Sequence, residues 1–356
     1  MAKILFTGGG TAGHVTPNLA LMDLLQSRGW RVLYIGSENG IERQLVTEAG
    51  VPYFPIQTGK LRRYFSWSNF IDPLRVIWGL FQSIWICWRQ KPAVVFSKGG
   101  FVAVPVVLAA WLMRTPVIAH ESDVSPGLAT RLSLPFCRYL CVNFEESRQI
   151  SPKTVVTGSP VRREIIHGDA GRGREWLGLK ADKPVLLVFG GSLGAQSINR
   201  AVRAALAPLT EAFQLVHVCG AGNLEEDLVN GVADPSDYIQ KEFIREAFGD
   251  VLACADVVIA RAGANSIYEL LLTRKPHLLI PLPLAVSRGD QLLNAKTFSA
   301  AGYSRVLPEE DLDAESLVQA VMNLWADREA IRAQLACFEV RDAVAGIAGL
   351  IEETAG

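Results

Sequence analysis

The sequence predicts an α/β protein made of two doubly wound domains. Short apolar runs alternate with helical patterns along almost the whole chain, which is typical of parallel sheets with helices on both faces. The segments "KILFTGGGTAGHVTPNLA" and "PVLLVFGGSLGAQSINRA" both have the order strand, glycines, helix. Such a unit begins a doubly wound domain, and 356 residues also favour two domains over one.

The predicted strands are the apolar runs of both halves. They are Ile4–Thr7, Val32–Ile35, Val94–Ser97, Val117–His120, Val185–Phe189, Leu215–Val218, Val257–Ala260 and His277–Pro281. We expect an N-terminal domain over residues 1–160 and a C-terminal domain over residues 161–340, because "GSPVRREI" and a glycine-rich charged segment lie at this boundary. A C-terminal helix within residues 341–356 either packs back on the N-terminal domain or belongs to the other half.

Composition excludes several classes of protein. With 49% hydrophobic and 20% charged residues the chain can bury cores and is not disordered. The net charge of −1 gives no general attraction for nucleic acid. Six scattered cysteines without a C-x-x-C pair predict reduced thiols in a cytosolic protein, with neither a disulfide framework nor a zinc site. The start of the chain enters a strand directly, so we expect no cleavable signal.

The first glycine loop has the G-x-G-x-x-G spacing of a dinucleotide site at Gly8, Gly10 and Gly13. That site also needs an acidic residue where the second strand ends. Gly36 and Ser37 lie there instead, and Glu38 comes only after this position. NAD binding is therefore not expected. A purely structural turn remains an alternative, and His14 is then an ordinary turn histidine.

The second glycine loop, "FGGSLGAQSIN", lacks the Gly-Lys-Ser/Thr of a P-loop, so ATP hydrolysis is not indicated. Further along, "VVIARAGANSIYELL" predicts a buried strand that ends at Arg261 and a helix that begins near Ala264. The first amides of that helix can bind an anion. Glu269 is spaced to accept hydrogen bonds from a ribose diol. Together they predict a nucleotide diphosphate site, with a surface glutamate on an ordinary helix as the alternative.

Two further polar clusters follow. Asp290, Gln291 and Asn294 lie at the start of a predicted helix and suit sugar hydroxyls, although helix-cap residues have the same composition. The sequence Asp311–Asp313 has the D-x-D form of a metal–nucleotide site. However, Asp313 has the position of a helix N-cap and no apolar strand precedes it, so no metal site is predicted there.

A basic, tryptophan-rich segment spans residues 60–91. Its uncharged run Val76–Trp88 makes a helix of roughly 20 Å, too short for a hydrocarbon core of about 30 Å. Tryptophans and flanking cations are typical of a helix that lies in a membrane interface. A buried helix with core tryptophans is the alternative. The residues predicted to face the membrane are Arg62, Arg63, Trp78, Phe81, Trp85 and Trp88.

These motifs, in this order, resemble the bacterial cell-wall N-acetylglucosaminyltransferases that act on undecaprenyl-pyrophosphoryl-muramoyl-pentapeptide. The resemblance covers nearly the whole chain. It rests on "TGGGTAGH", "SKGGF", "HESDVSPG", "GSPVR", "GGSLGA", "RAGANSIYE" and "RGDQLLNA". It implies the GT-B architecture, in which two Rossmann-like domains face a central cleft.

The resemblance implies a hexosyltransferase of peptidoglycan synthesis, and thereby of cell-wall biogenesis, cell shape and cell division. N-acetylglucosamine would pass from UDP-GlcNAc to the 4-hydroxyl of the MurNAc-pentapeptide of lipid I. The product would be lipid II, with an inverted β-1,4 linkage. The enzyme would lie on the cytoplasmic face of the cell membrane as a peripheral protein, without a cofactor or bound metal. Cell-wall synthesis proteins are open as further partners.

The resemblance also implies roles for single residues. The residues expected to bind the donor are Arg162, Ser192, Arg261, Ala264, Asn265, Glu269, Asp290, Gln291 and Asn294. The residues expected to bind the acceptor are Gly9, Gly10, Thr11, Gly13, His120, Ser122 and Asp123.

An inverting displacement needs a base for the incoming hydroxyl and stabilisation of the departing UDP. His14, whose ordinary pKa is about 6.5, is the preferred base, and Glu121 is the competitor. Two other functions remain open on the sequence. One is a UDP-N-acetylglucosamine 2-epimerase. The other is a non-catalytic peripheral membrane protein that binds nucleotide sugars.

Overall fold

The structure, a computed structural model, describes residues 1–10, 12–59, 68–180, 183–191, 194–225 and 232–356. The strands are β1 (Lys3–Thr7), β2 (Arg31–Ser37), β3 (Tyr53–Ile56), β4 (Val94–Ser97), β5 (Val117–Glu121), β6 (Tyr139–Val142), β7 (Thr154–Val156), β8 (Val185–Phe189), β9 (Gln214–Val218), β10 (Tyr238–Lys241), β11 (Val257–Ala260), β12 (His277–Leu279) and β13 (Arg305–Val306).

The α-helices are α1 (Thr16–Ser27), α2 (Ile41–Glu48), α3 (Ser68–Gln90), α4 (Ala103–Leu112), α5 (Leu128–Ser133), α6 (Arg163–Ile166), α7 (Ala170–Leu177), α8 (Gln196–Ala204), α9 (Leu206–Ala212), α10 (Phe248–Cys254), α11 (Ala264–Leu272), α12 (Asp290–Ala300), α13 (Ala314–Ala336) and α14 (Ala343–Ala355).

The chain divides into two compact units. The first unit contains residues 1–161 and 341–356, and the second unit contains residues 162–340. Helix α14 thus lies in the first unit, where Ile347 and Ile351 are buried in the same cluster as Leu21 and Leu25 of α1. A C-terminal helix returns to the N-terminal half of the chain because its apolar face is needed to cover that sheet.

Each unit has one parallel sheet. The strand order is β3-β2-β1-β4-β5-β6-β7 in the first unit and β10-β9-β8-β11-β12-β13 in the second. The predicted class, two doubly wound α/β domains, is confirmed. Each strand predicted from the sequence occurs, with ends that differ by a few residues. Of the strands that the sequence pattern did not indicate, β3, β7, β10 and β13 lie at sheet edges, where one neighbour is missing and the apolar signal is weak.

The core of the first unit explains why the sequences of its central strands are largely continuous apolar runs. Ile4 and Phe6 of β1 pack into the cluster that contains α1 and α14, while Leu5 packs into the cluster on the other face with α4. Both faces of the sheet are covered, so the middle positions of a central strand are apolar on both sides. This arrangement leaves the carboxyl ends of the strands as the place for polar chemistry.

The order of the strands reverses once in each sheet. In the first unit β1 pairs with both β2 and β4, so the loops that begin at Gly8 and Lys98 are neighbours. In the second unit β8 pairs with both β9 and β11, which brings Gly190 next to Arg261. Ligands of open α/β sheets bind at such switch points, outside the carboxyl ends of the strands. The glycine motifs of the sequence lie at both.

Helix α3 has two different faces. Ser83, Ile86 and Cys87 are buried against the body of the first unit. The four aromatic side chains predicted to face a membrane, by contrast, are each more than 50% exposed; they are Trp78, Phe81, Trp85 and Trp88. Their spacing of three and four residues places them on one side of the helix. These tryptophans are therefore not core residues. Among the described residues, no helix combines the length and the apolar character needed to cross a membrane.

Candidate active site

The first glycine loop is held from beneath by buried side chains. The hydroxyl of Tyr34 donates a hydrogen bond to the Gly8 carbonyl (2.8 Å), and Asn18 Nδ2 donates to the His14 carbonyl (3.2 Å). Gly10 has a φ of +90°, a conformation that favours glycine, and a Cβ built on it would meet no atom within 4 Å. The loop is thus anchored on its inner side and has open space at Gly10.

His14 lies in a short 3-10 helix, Ala12–His14, directly after this loop. Its Nδ1 lies 2.9 Å from the carbonyl oxygen of Gly9. A carbonyl only accepts hydrogen bonds, so Nδ1 carries the proton. In the neutral ring Nε2 then holds the lone pair. This tautomer is the one that a histidine needs if Nε2 is to take a proton from a substrate.

Glu42 is a site residue that the sequence analysis missed. It projects from α2, is fully buried, and accepts hydrogen bonds from the amides of Ser37 (3.0 Å) and Gly10 (3.3 Å). A carboxylate from α2 therefore lies beside the end of β2, and it bonds to the protein's own glycine loop. One signal in the sequence could have revealed it. Glu42 is four residues before Val46, and this spacing places both side chains on the same, buried side of α2.

A buried cation lies at the carboxyl end of β4. Lys98 Nζ donates to Nδ1 of His120 (2.6 Å) and to the hydroxyl of Ser122 (2.7 Å), while His120 Nε2 donates to the Gly158 carbonyl (3.0 Å). Burial lowers the pKa of Lys98 to about 7, and the carboxylate of Glu121 opposes this shift. Burial and the neighbouring Lys98 hold the pKa of His120 well below its ordinary value, so the imidazole is neutral.

This geometry refines the roles predicted for the β5 loop. His120 is 1% exposed, and its Nδ1 contacts Lys98, which in turn contacts Ser122. No role is predicted for Lys98 from the sequence, although it follows a buried strand and precedes two glycines. A lysine at a switch point is the signal that would have found it.

The carboxylate of Glu121 organises its own loop. It accepts hydrogen bonds from the amides of Ser122 (2.9 Å), Asp123 (3.2 Å) and Gly127 (3.0 Å) and from the hydroxyl of Thr130 (2.6 Å). These four donors occupy the lone pairs that a general base would need. The arrangement favours His14 over Glu121 as the base.

The second unit presents the start of α11 at its switch point. The helix begins at Ala264, as predicted, and Gly263 before it supplies no side-chain cap. A Cβ at Gly263 would meet no atom within 4 Å, so there is space in front of the first amides. The fully buried Asn294 donates to the Ala262 carbonyl (3.1 Å) and so fixes the turn from inside. The turn combines open space with the positive end of a helix dipole, which suits an anion.

Glu269 lies further along α11 and is partly exposed. Burial of the carboxyl group raises its pKa to about 7, while the positive charge of Arg162 opposes the shift. A carboxyl group near neutrality can become fully ionised when hydroxyl donors approach. In its ionised form the group can accept hydrogen bonds from two neighbouring hydroxyls.

Arg261 is tied into the second unit by three groups. Its Nη1 donates to the Ile280 carbonyl (3.1 Å), its Nη2 donates to the Ser197 hydroxyl (2.9 Å), and Glu309 forms an ion pair with it. Only 8% of the residue is exposed. The guanidinium therefore fixes the loop after β11 against α8, and Glu309 is a partner that the sequence analysis missed.

The polar cluster at α12 lies in the same unit. The helix begins at Asp290, and Gln291 Oε1 accepts a hydrogen bond from the amide of Leu282 (3.1 Å). Asp290 pairs with Arg288 at 3.3 Å.

Further along, Asp313 caps α13 through a capping box, which confirms the N-cap predicted for it.

The predicted residues separate by unit. Gly9, Gly10, Ser122 and Asp123 lie in loops at the carboxyl end of the first sheet, Gly13 lies in the 3-10 helix that follows the first loop, and the predicted donor residues that the structure describes lie in the second unit. Four predicted residues lie outside the described residues; they are Thr11, Arg62, Arg63 and Ser192. Within the described residues, no group of three or more His, Cys, Asp or Glu side chains is placed to hold a metal ion.

Comparison with known proteins identifies the family. Residues 4–140 match the glycosyltransferase family 28 N-terminal domain and residues 185–347 match the family's C-terminal domain. A Clostridium botulinum protein is 48% identical over 99% of both chains, and one from Geobacillus thermodenitrificans is 47% identical over the same share. Both are named UDP-N-acetylglucosamine–N-acetylmuramyl-(pentapeptide) pyrophosphoryl-undecaprenol N-acetylglucosamine transferase.

Among solved structures, that of Acinetobacter baumannii MurG superimposes with a TM-score of 0.78 at 25% identity, covering 99% of this chain and all of the other. The two doubly wound domains of the GT-B fold implied by the resemblance are thereby confirmed. The match of both domains, together with close relatives along the whole length, leads to one conclusion: the chain belongs to glycosyltransferase family 28.

Proposed function

We propose that this protein transfers N-acetylglucosamine from UDP-GlcNAc to the 4-hydroxyl of the MurNAc-pentapeptide of lipid I and so forms lipid II for peptidoglycan synthesis. The observation that carries the proposal is the 48% identity, over 99% of both chains, to a transferase of that name. The structure supports it with an anion-binding turn and a titratable carboxyl group in one unit, and a glycine loop with a histidine of defined tautomer in the other.

The donor binds to the second unit in this proposal. The amides of Ala264 and Asn265 at the start of α11 hold the diphosphate, and Glu269 accepts hydrogen bonds from the ribose diol. Arg162 and Ser192 support the nucleotide. Gln291, Asp290 and Asn294 hold the sugar, with Asn294 acting through the turn that it fixes. Arg261 keeps that turn in place and contributes positive charge towards the departing UDP.

The acceptor binds to the first unit. The loop that contains Gly9, Gly10, Thr11 and Gly13 receives its diphosphate, and the β5 loop receives its sugar through Ser122 and Asp123. Lys98, held by His120, places at the same switch point a buried amine that is positively charged when protonated. A positive group beside glycine amides suits an anionic lipid headgroup.

His14 is the general base in this proposal. Because Nδ1 is protonated and donates to Gly9, Nε2 is the nitrogen that takes the proton of the acceptor hydroxyl. The oxygen then attacks the anomeric carbon, the bond from that carbon to the diphosphate breaks, and UDP leaves with the electron pair. A single displacement inverts the α-linked donor sugar to a β-1,4 linkage.

Helix α3 docks the protein on the cytoplasmic face of the membrane in which lipid I is anchored. The exposed side chains of Trp78, Phe81, Trp85 and Trp88 form its apolar face. The guanidinium of Arg89 lies over the Trp85 ring, 5.3 Å from its centroid, so a cation is held at the edge of that face. Aromatic side chains beside cations are favoured at the surface of an anionic leaflet.

The test is transfer of radiolabelled N-acetylglucosamine from its UDP donor to a water-soluble, short-chain analogue of lipid I. Label in the lipid product supports the transferase. UDP release without labelled lipid would instead indicate the epimerase or a hydrolase. UDP binding with no turnover at all would indicate the non-catalytic nucleotide-sugar protein.

A further inference from the structure

Glycines near the first loop leave room for one carboxylate. A Cβ at Gly9 would lie 2.5 Å from Glu42 Oε1, and one at Gly40 would lie 2.2 Å from both carboxylate oxygens. A Cβ at Gly36 would meet the Tyr53 hydroxyl first, at 2.2 Å, and Glu42 Cγ at 2.9 Å. None of these three glycines has a positive φ, so backbone conformation does not require them. Gly9 and Gly40 leave space for the Glu42 carboxylate, and Gly36 leaves space for Tyr53 as well as for Glu42. The chain builds a socket around this side chain.

The socket holds Oε1 of Glu42 against the amide and hydroxyl of Ser37 and leaves Oε2 for the peptide unit between Gly9 and Gly10. Oε2 of Glu42 accepts from the N–H of Gly10 (3.3 Å), and the carbonyl of the same peptide, that of Gly9, accepts from Nδ1 of His14 (2.9 Å). A trans peptide is rigid and planar, and its N–H and C=O point in opposite directions. Glu42 and His14 therefore hold opposite ends of one amide dipole.

This order of groups resembles the function of the aspartate in a Ser-His-Asp triad, where a carboxylate fixes the tautomer and orientation of the imidazole. Here the peptide is inserted between carboxylate and ring. A charged acceptor on the N–H polarises the amide and makes the Gly9 oxygen a stronger acceptor for the imidazole N–H. The carboxylate thus favours the tautomer in which Nε2 is the base.

We propose that Glu42 is a positioning residue for His14 and acts on it through the Gly9–Gly10 peptide. The inference rests on the proposed function, in which His14 takes the proton of the acceptor. It assigns Glu42 no contact with either substrate.

The experiment uses the variant Glu42→Gln in the full chain. Gln has the same shape, but its amide group places a donor where the carboxylate accepts, against the N–H of Gly10 or the donors of Ser37. We expect kcat to fall about tenfold to a hundredfold, which is less than the 10²–10⁴-fold contribution of a general base because His14 itself is still present. The KM for UDP-GlcNAc should stay within about twofold, since the donor binds to the other unit.

The direct readout is NMR of the protein labelled with ¹⁵N in its histidine rings. The sequence has five histidines, so assignment with single variants is practical. We expect His14 of the wild type to show one tautomer with the proton on Nδ1, and Glu42→Gln to give a mixture of tautomers. A structural role elsewhere in the fold would not change this signature.

Two further variants complete the design. Glu48→Gln makes the same chemical change at an exposed position of α2 and should leave both kcat and the His14 signals unchanged. Gly40→Ala keeps Glu42 but places a methyl group against its carboxylate, at a backbone conformation (φ −85°, ψ 158°) that alanine adopts readily. It should reproduce the effect of Glu42→Gln. If Glu42→Gln does not fold, Gly40→Ala carries the test.

An unchanged kcat in Glu42→Gln and Gly40→Ala would overturn the inference. So would a lowered kcat with an unchanged His14 tautomer, which would make Glu42 a structural residue only. Absence of transfer by the wild type would contradict the proposed function instead, and the NMR experiment would still decide whether Glu42 controls His14.

Discussion

Lys98 Nζ lies 2.6 Å from Nδ1 of His120, and both side chains are buried at the switch point of the first sheet. The Gly158 carbonyl fixes the proton of His120 on Nε2, so Nδ1 can only accept, and Lys98 must donate. A lysine and a histidine in contact would repel each other if both were charged. The fold therefore keeps the histidine neutral and places any positive charge on Lys98.

The first prediction concerns the stability of this pair. The pKa of Lys98 is about 7 in the folded protein and about 10.5 when the chain unfolds. The unfolded chain thus binds more protons between these values, and the contribution of Lys98 to the free energy of unfolding rises as the pH rises from 7 to 10.5. In Lys98→Met this rise is absent. The difference between the free energies of unfolding of wild type and variant therefore changes by roughly 2 kcal/mol between pH 7 and pH 9.

The measurement is urea unfolding at pH 7, 8 and 9, followed by tryptophan fluorescence. Six of the eight tryptophans lie within residues 1–161, so the signal reports mainly on the first unit. Lys91→Met, the same change at an exposed position before β4, should keep the wild-type slope. Equal slopes in wild type and Lys98→Met would contradict the shifted pKa.

The second prediction concerns His14. Removal of a general base lowers the rate of the chemical step by about 10²–10⁴-fold. We therefore expect His14→Ala to lower kcat by that amount, while the KM for UDP-GlcNAc changes little. Steady-state transfer assays give both values. His167→Ala, an exposed histidine of the second unit, is the matched control. Wild-type activity in His14→Ala would remove His14 from consideration.

The third prediction concerns Glu269 and pH. Only the ionised carboxylate accepts from both ribose hydroxyls, and the carboxyl pKa is about 7 without ligand. Binding of UDP-GlcNAc then releases a proton below neutrality. Its affinity should rise about tenfold from pH 6 to pH 8 and level off above that. UDP-GlcNAc is the right probe because its diphosphate carries no group that titrates in this range.

Isothermal calorimetry checks both parts of this prediction. Hydrogen bonds to a charged group contribute about 1.5–3 kcal/mol, so Glu269→Ala should weaken binding roughly 10- to 100-fold and remove the pH dependence. Glu211→Ala, at an exposed site on α9, should bind like the wild type. Unchanged affinity in Glu269→Ala would exclude the ribose role.

The fourth prediction concerns the exposed face of α3. Each large apolar side chain contributes roughly 1.5–3 kcal/mol when it is fully buried, so we expect the double variant Trp78→Ser/Trp85→Ser to bind phosphatidylglycerol vesicles about tenfold more weakly or worse. Co-sedimentation measures this. Transfer to the water-soluble acceptor should keep its kcat.

Trp176→Ser is the control, because Trp176 is about half exposed but lies in the second unit. If it weakened vesicle binding as much as the double variant, the docking surface would not be α3. Vesicle binding that is the same in all variants would contradict the proposed location.

Sequence periodicity determined the class of fold and the central strands, because a strand buried on both faces leaves a continuous apolar run such as Val185–Phe189. Local chemistry also placed the helix start at Ala264 and the N-cap at Asp313. These features depend on neighbours a few residues away, and such neighbours can be read directly from the chain.

Only the tertiary structure decided which polar residues meet. Gly10 and Glu42 are 32 residues apart, Lys98 and His120 are 22 apart, and Arg261 reaches Glu309 across 48. Such contacts arise because parallel strands bring distant carboxyl ends to one edge of a sheet. No local pattern records which loop will lie beside which. Local motifs indicated some of these polar residues, and the order of the strands determined which residues they contact.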